Sequence, residues 1–420
     1  MRSKRVRHVS EPRSCHTRLE VITAAALRAR LEAVVDGDRI LDRPLERIAR
    51  AADASFYRLV PRAVVLPRSV DEVAGLFRVS HELGIPLTFR AAGTSLSGQA
   101  VTDGILVDVS RHFRGLAIED GGRRVRVEPG VIGAHVNRAL APHHTKLGPD
   151  PASLATCQMG GILSNNSSGM CCGVAQNAYH TLVSIRFLLP SGALIDTAAP
   201  HADEELCARE PALHAGLLAL RRAVLESPAL AARIRSKYRM KNTTGYSLNA
   251  FLDEERPAAM LGRLLIGAEG TLAFIAEAIL ETVPDLPVRH TGLLFFADVH
   301  AACAAIVPLR DAGARALELM DRASLRAVED KDGMPPALRA LPPGAAALLV
   351  ELQGESEADR PALAAAARDA AERLALLAPA RFTDDPAWPK PVWGAVPARA
   401  YQRAEWDKLI APLRTKIGLA

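Results

Sequence analysis

No C-x-x-C pair occurs in this 420-residue chain, and its six cysteines stand singly apart from the adjacent Cys171 and Cys172. That spacing argues against zinc, against an iron–sulfur cluster held by this chain, and against a disulfide framework. Reduced thiols in the cytoplasm are the expectation. Aromatics make up only 4% of residues, and the Lys and Arg behind the formal net charge of +5 form no stripe interleaved with them. Nucleic-acid binding is therefore not expected. No apolar run approaches the ~20 residues that span a bilayer. The basic start (Arg2, Lys4, Arg5, Arg7, Arg13) lacks the apolar core of a secretory signal. An ordinary tail, rather than an organellar presequence, is expected there. The protein is read as soluble, at most peripheral at the inner face of the membrane. Histidine is unevenly spread: all twelve lie at or before His300, and the last cysteine is Cys303.

Glycine and small polar residues, by contrast, gather in three places. After the strand-like Ile85-Pro86-Leu87-Thr88-Phe89 comes Arg90-Ala91-Ala92-Gly93-Thr94-Ser95-Leu96-Ser97-Gly98-Gln99. Two glycines with hydroxyls between them let successive backbone N–H groups converge on an anion, so this loop is a candidate pyrophosphate cradle. It is no P-loop, because Gln99-Ala100 stands where Lys-Ser/Thr is needed, and no G-x-G-x-x-G opens a helix here. A tight structural turn would explain the loop about as well.

The second place begins with the stiff turn Gly148-Pro149-Asp150-Pro151 and runs through Ala155-Thr156-Cys157-Gln158-Met159-Gly160-Gly161-Ile162-Leu163-Ser164-Asn165-Asn166-Ser167-Ser168-Gly169. Its small residues admit a ligand close to the backbone. The third, Ile266-Gly267-Ala268-Glu269-Gly270-Thr271-Leu272-Ala273-Phe274-Ile275, joins a glycine turn to an apolar strand.

In this order and spacing the three segments resemble the FAD-binding domain of the vanillyl-alcohol oxidase (PCMH) type. Within it the resemblance is to the D-lactate, glycolate and D-2-hydroxyglutarate dehydrogenases, above all to the flavin half of their FAD/iron–sulfur fusions. Ala52-Asp53-Ala54-Ser55-Phe56-Tyr57-Arg58, Lys241-Asn242-Thr243-Thr244-Gly245-Tyr246 and Glu318-Leu319-Met320-Asp321-Arg322 fit the same subgroup, and the likeness runs from Ala51 to Pro386. It implies dehydrogenation of a D-2-hydroxy acid by hydride transfer to FAD, with electrons passed to an iron–sulfur subunit or a quinone.

The resemblance also implies which residues meet FAD. The first segment supplies Arg90, Ala92, Gly93, Thr94, Ser95, Leu96, Gly98 and Gln99. The second supplies Pro149, Asp150, Ser153, Thr156, Gly160, Gly161, Ser164, Asn165 and Gly169, and the third Glu269, Gly270 and Ile275. Covalently flavinylated relatives anchor the ring through a histidine in the first loop or a cysteine in the second. Thr94 stands at the histidine position, so a non-covalent flavin is expected, with Cys157 read as a small buried hydrophobe. Asn242 and Thr244 are substrate candidates, or else form a hydrogen-bonded strand entry. Arg90 suits a diphosphate or a carboxylate partner equally. Glu269 suits the flavin or, preferably, the backbone N–H groups of its own turn. His143-His144 reads as a surface loop rather than a metal pair, and Glu318 and Asp321 as packing or capping residues.

The fold expectation is α+β, with an N-terminal tail and helical segment over 1–57 and a flavin domain of two α+β subdomains over 58–285. A partial substrate domain over 286–386 and an atypical tail over 387–420 complete it. Helices are expected at 19–35, 70–83 (with Ser69-Val70-Asp71-Glu72 as capping box), 131–141, 300–312 and 358–377. Strands are expected at 63–66, 85–89, 104–109, 115–118, 123–127, 291–296, 315–320 and 345–352, with a hairpin of 181–189 against 193–197. Gly122 is placed in a surface hairpin. The resembled dehydrogenases carry a His-x-Gly-Asp-Gly-Asn-type motif late in the substrate domain, and these 420 residues contain none. Beyond Pro386, where all three tryptophans (Trp388, Trp393, Trp406) lie, no family pattern is recognisable. A frameshifted reading frame, and a chain that binds flavin with little or no turnover of its own, are the corresponding expectations.

Overall fold

The computed structural model describes residues 22–169, 171–331, 334 and 336–384. The expected N-terminal tail up to residue 21 and the segment from residue 385 onward, tryptophans included, lie outside the described residues. Three sheets organise the rest.

The first sheet is built from β1 (Ile40–Leu41), β2 (Ala63–Val65), β3 (Leu87–Arg90) and β4 (Ile105–Asp108), in the order β1-β2-β4-β3. β2, β4 and β3 run parallel, and the runs Ala63-Val64-Val65 and Ile105-Leu106-Val107 are fully buried. Continuous apolar strands are what a parallel sheet covered on both faces demands. The helix Val70–Leu83 crosses over between β2 and β3, packing Val73, Leu76 and Val79 into the core. Its start is half of the expected capping box. Ser69 accepts from the Glu72 N–H at 3.2 Å, but the Glu72 carboxylate accepts from the Arg68 N–H and the Arg39 guanidinium instead of returning to Ser69. The buried Arg39 holds that carboxylate in a charge-assisted pair.

The second sheet holds β5 (Leu116–Glu119), β6 (Arg124–Val127), β7 (Thr145–Leu147), β8 (Leu182–Leu188), β9 (Leu194–Asp196) and β10 (Phe274–Pro284), in the order β5-β6-β10-β8-β9 with β7 on β10. β8 and β9 form the expected hairpin. Residues 202–265, for which the motif pattern makes no expectation, form the helices Ala202–Arg209, Pro211–Leu225, Pro228–Lys237, Ala250–Asp253 and Pro257–Leu265. Three of them open on proline at the first helical position, where the missing N–H costs nothing. The β5–β6 turn corrects one expectation: Gly122 is buried, with φ +93°, and a Cβ there would meet His143 at 2.3 Å. Its carbonyl accepts from Thr145 and Thr282, so Gly122 is packed under the 141–145 segment, although the β5–β6 hairpin forms as expected and Asp120, Gly121 and Arg123 around it are exposed.

Phe274, at the start of β10, stacks on Phe89 of β3 at 5.0 Å and meets Phe113 edge-on at 5.3 Å. This aromatic contact joins the second sheet to the core of the first and fixes the glycine turn before β10 against the loop after β3. The third sheet, β12-β13-β11-β14, comprises β11 (Val288–Phe296), β12 (Ala314–Met320), β13 (Ala346–Gly354) and β14 (Arg381–Thr383). The helices Val299–Asp311 and Arg360–Glu372 cover the face carrying Leu294, Phe296, Leu348, Val350 and Leu352. The α+β architecture, with a flavin-type domain and a separate C-terminal domain, is as the sequence indicates. Among the described residues no helix is long and apolar enough to cross a membrane.

Candidate active site

One cleft of about 400 Å³ gathers all three glycine segments, within the size range of small-molecule sites. The first segment lines it with Ala92, Gly93, Thr94, Ser95, Leu96 and Gln99, the second with Ser153, Gly160, Gly161, Ser164 and Asn165, and the third with Glu269, Gly270 and Ile275. The loop after β3 sits at the carboxyl end of a parallel strand, where open sheets present ligand sites. Its shape is imposed from behind. The Ala54 N–H donates to the Gly93 carbonyl at 3.0 Å, and the buried Asp53 carboxylate accepts from the Ser55 and Ala100 N–H groups. Gly93 has φ +67°, and a Cβ there would lie 2.6 Å from the Arg90 guanidinium.

Six of the expected contact residues stand off the lining. Arg90 is the clearest correction: its guanidinium donates to the carbonyls of Arg50 (3.0 Å) and Ala52 (2.8 Å), so it braces the loop from the protein side. Burial pulls its pKa below the ordinary arginine value, with Asp108 and Asp53 opposing. Gly98 packs against the Tyr57 ring, at 2.5 Å from a would-be Cβ. Asp150 spends its carboxylate on the N–H groups of Gly169, Cys171 and Cys172. Gly169 in turn lies directly against the Asp150 carbonyl. Pro149 is buried, and Thr156 donates its hydroxyl to the Ser153 carbonyl at 3.1 Å. The substrate candidates Asn242 and Thr244 are likewise off the lining, whereas their neighbours Lys241 and Thr243 are on it. Sequence reasoning also passed over Gln158 and Ser168, both cleft residues with a buried side-chain oxygen that has no protein partner. A polar residue that neither caps nor pairs within a small-residue segment was the available signal.

Lys241 and Glu269 are the charged side chains of the lining. The Lys241 ammonium lies 3.5 Å from the Ser168 carbonyl. It draws down the carboxyl pKa of Glu318 on β12, which burial pushes above the ordinary value. Asp321 caps the Arg322–Arg326 helix through the Ser324 N–H. Glu269, with φ +52°, is held by the Asn165 side chain, not by its own turn's N–H groups, and burial raises its pKa. Burial likewise pushes the Cys157 thiol up, leaving it a poor nucleophile. His143 and His144 are exposed, and no metal-holding cluster occurs among the described residues.

The cleft fits FAD. A Cβ built on Gly161 or Gly270 meets nothing within 4 Å, so backbone is open to close approach in both segments. Hydroxyl, amide and backbone donors line the walls between apolar Phe89, Val109 and Phe274.

Residues 61–198 match the family model described as FAD binding domain, and residues 286–403 that described as FAD linked oxidases, C-terminal domain. The chain is a PCMH-type FAD-binding oxidoreductase. It is 33% identical over 252 residues to a D-2-hydroxyglutarate dehydrogenase of Pantoea ananatis, covering 58% of this chain and 24% of that protein. To the glycolate oxidase subunit GlcD of Escherichia coli K12 it is 30% identical over 301 residues, covering 70% of this chain and 50% of that protein. The chain thus spans a quarter to a half of the length of these relatives. The alkyldihydroxyacetonephosphate synthase structure shares the fold, with TM-score 0.57 at 15% identity over 83% of this chain and 60% of that one. The cofactor of the present chain is FAD.

Proposed function

We propose that the chain forms the flavin half of a cytoplasmic dehydrogenase of a D-2-hydroxy acid, with the flavin domain over 58–285 and a substrate domain from 286 onward. When bound, FAD supplies a two-electron acceptor for hydride from the substrate carbon and a route to an iron–sulfur or quinone partner. The proposal is carried by Lys241, the one cation among the described residues of the lining, whose other charged side chain, Glu269, is held by Asn165. A carboxylate substrate complements the Lys241 charge. The Gly93 loop and Gly161 would hold FAD through backbone N–H groups, with Ser153 and Ser164 as hydroxyl donors.

The test is reduction of an artificial dye by FAD-loaded protein with D-lactate, glycolate and D-2-hydroxyglutarate in turn. Turnover near one per second or faster, the low end of ordinary enzymes (~1–10³ s⁻¹), on one of these acids supports the dehydrogenase. Bound FAD without dye reduction supports the other reading, a flavin-binding chain without turnover of its own.

A further inference from the structure

Gln158 stands 7% exposed on the wall of the FAD cleft, and its side-chain carbonyl oxygen has no protein partner. Its backbone is tightly held: it bridges to Ile132, and its carbonyl accepts the first bond of the Met159–Asn165 helix from Ile162 at 3.0 Å. It occupies the N-cap position of that helix but makes no side-chain cap. Helix capping therefore does not account for the amide. Of the other polar side chains of the wall, Ser95 bonds Gln99 and Asn165 bonds Glu269 and Ser167, while the buried Ser168 hydroxyl is likewise without a protein partner. A buried amide oxygen left unpaired is costly, so an uncompensated one beside a ligand cleft points to a donor on the ligand.

We propose that Gln158 is a positioning residue for FAD, accepting an N–H of the cofactor through its side-chain carbonyl. The inference rests on the FAD assignment of the cleft. FAD offers such donors at two places, the imide N–H of the flavin ring and the exocyclic amine of adenine. Both present the same chemistry to a carbonyl acceptor.

The test is Gln158→Met in the full chain, a near-isosteric change that removes the acceptor. Two opposite effects are expected together. FAD binding, read by quenching of flavin fluorescence, weakens about tenfold, the scale of one hydrogen bond to a buried group. The thermal midpoint of the flavin-free protein stays level or rises by about 1–3 °C, because an unpaired buried oxygen is gone. ADP competition locates the contact. ADP binding weakened in parallel assigns the adenine amine, whereas unchanged ADP binding with a shifted flavin midpoint potential assigns the ring imide. Wild-type FAD affinity and potential in the variant would overturn the proposal. A lowered midpoint in the flavin-free variant would also overturn it, by making Gln158 structural. A wild-type chain that takes up no FAD would overturn the cleft assignment as well, which separates the two failures.

Discussion

Asn165 donates its side-chain amide to the Glu269 carboxylate at 2.7 Å, across 104 residues of sequence. Two backbone bonds run beside it, from the Glu269 N–H to the Ser164 carbonyl at 2.8 Å and from the Gly267 N–H to the Leu163 carbonyl at 3.1 Å. Together they clamp the second glycine segment to the third, making two distant motifs one wall of the cleft.

That clamp has a pH signature. Burial raises the Glu269 pKa in the folded chain, with the Asn165 bond opposing. Stability from this group is fully present below the ordinary glutamate pKa and is lost as pH rises through the raised value. Glu269→Gln keeps an acceptor for Asn165 and cannot ionise. The flavin-free variant should match wild type at or below about pH 4 and unfold at higher urea than wild type near neutral pH. Equal stability of the two near neutral pH would contradict a burial-raised carboxyl.

Gly161→Val should abolish FAD binding while leaving a folded protein, because the added side chain enters open cleft space and strikes no protein atom. Gly93→Val is a less selective probe, since its positive φ and the adjacent Arg90 would distort the loop itself. Gly122 is no control, being packed under His143. Gly216→Ala, exposed in the Pro211–Leu225 helix, is the appropriate one. It should retain FAD and add up to about 1 kcal/mol of stability. Circular dichroism alongside flavin titration reads both.

The purified protein should be yellow and should release its FAD on acid or heat precipitation. Thr94 offers no histidine for ring attachment, and the Cys157 thiol is kept protonated by burial. Cys157→Ser should leave the flavin yield unchanged. Flavin that sediments with the denatured wild-type polypeptide but is released from the variant would reveal a thioether.

Lys241→Met should lower kcat/KM for the 2-hydroxy acid by about ten- to a hundredfold, the scale of a lost bond to a charged group. Most of the loss should fall on KM, because the carboxylate keeps its charge through hydride removal and is held alike in ground and transition states. FAD affinity should change little. An unaltered KM would remove Lys241 from substrate recognition.

The amino-acid sequence by itself determined the α+β class, the order of β2, the crossover helix, β3 and β4, the longer elements of the third sheet and the three segments that meet at the cleft, but not the short strands β1 and β14. Those features follow from local properties: apolar runs for buried strands, Ser69 at a helix start, glycine where backbone must come close. Which members of each segment reach the ligand space was decided only by tertiary structure. Arg90 and Asp150 carry charge at motif positions, yet one braces the carbonyls of Arg50 and Ala52 and the other gathers the N–H groups of Gly169, Cys171 and Cys172. In the Lys241–Tyr246 segment, Lys241 and Thr243 face the cleft and Asn242 and Thr244 do not. Backbone preference is written residue by residue, but the direction of a side chain depends on the partners that distant segments bring to it. Chain folding brings Asn165 to Glu269, and only that meeting turns two glycine motifs into a site.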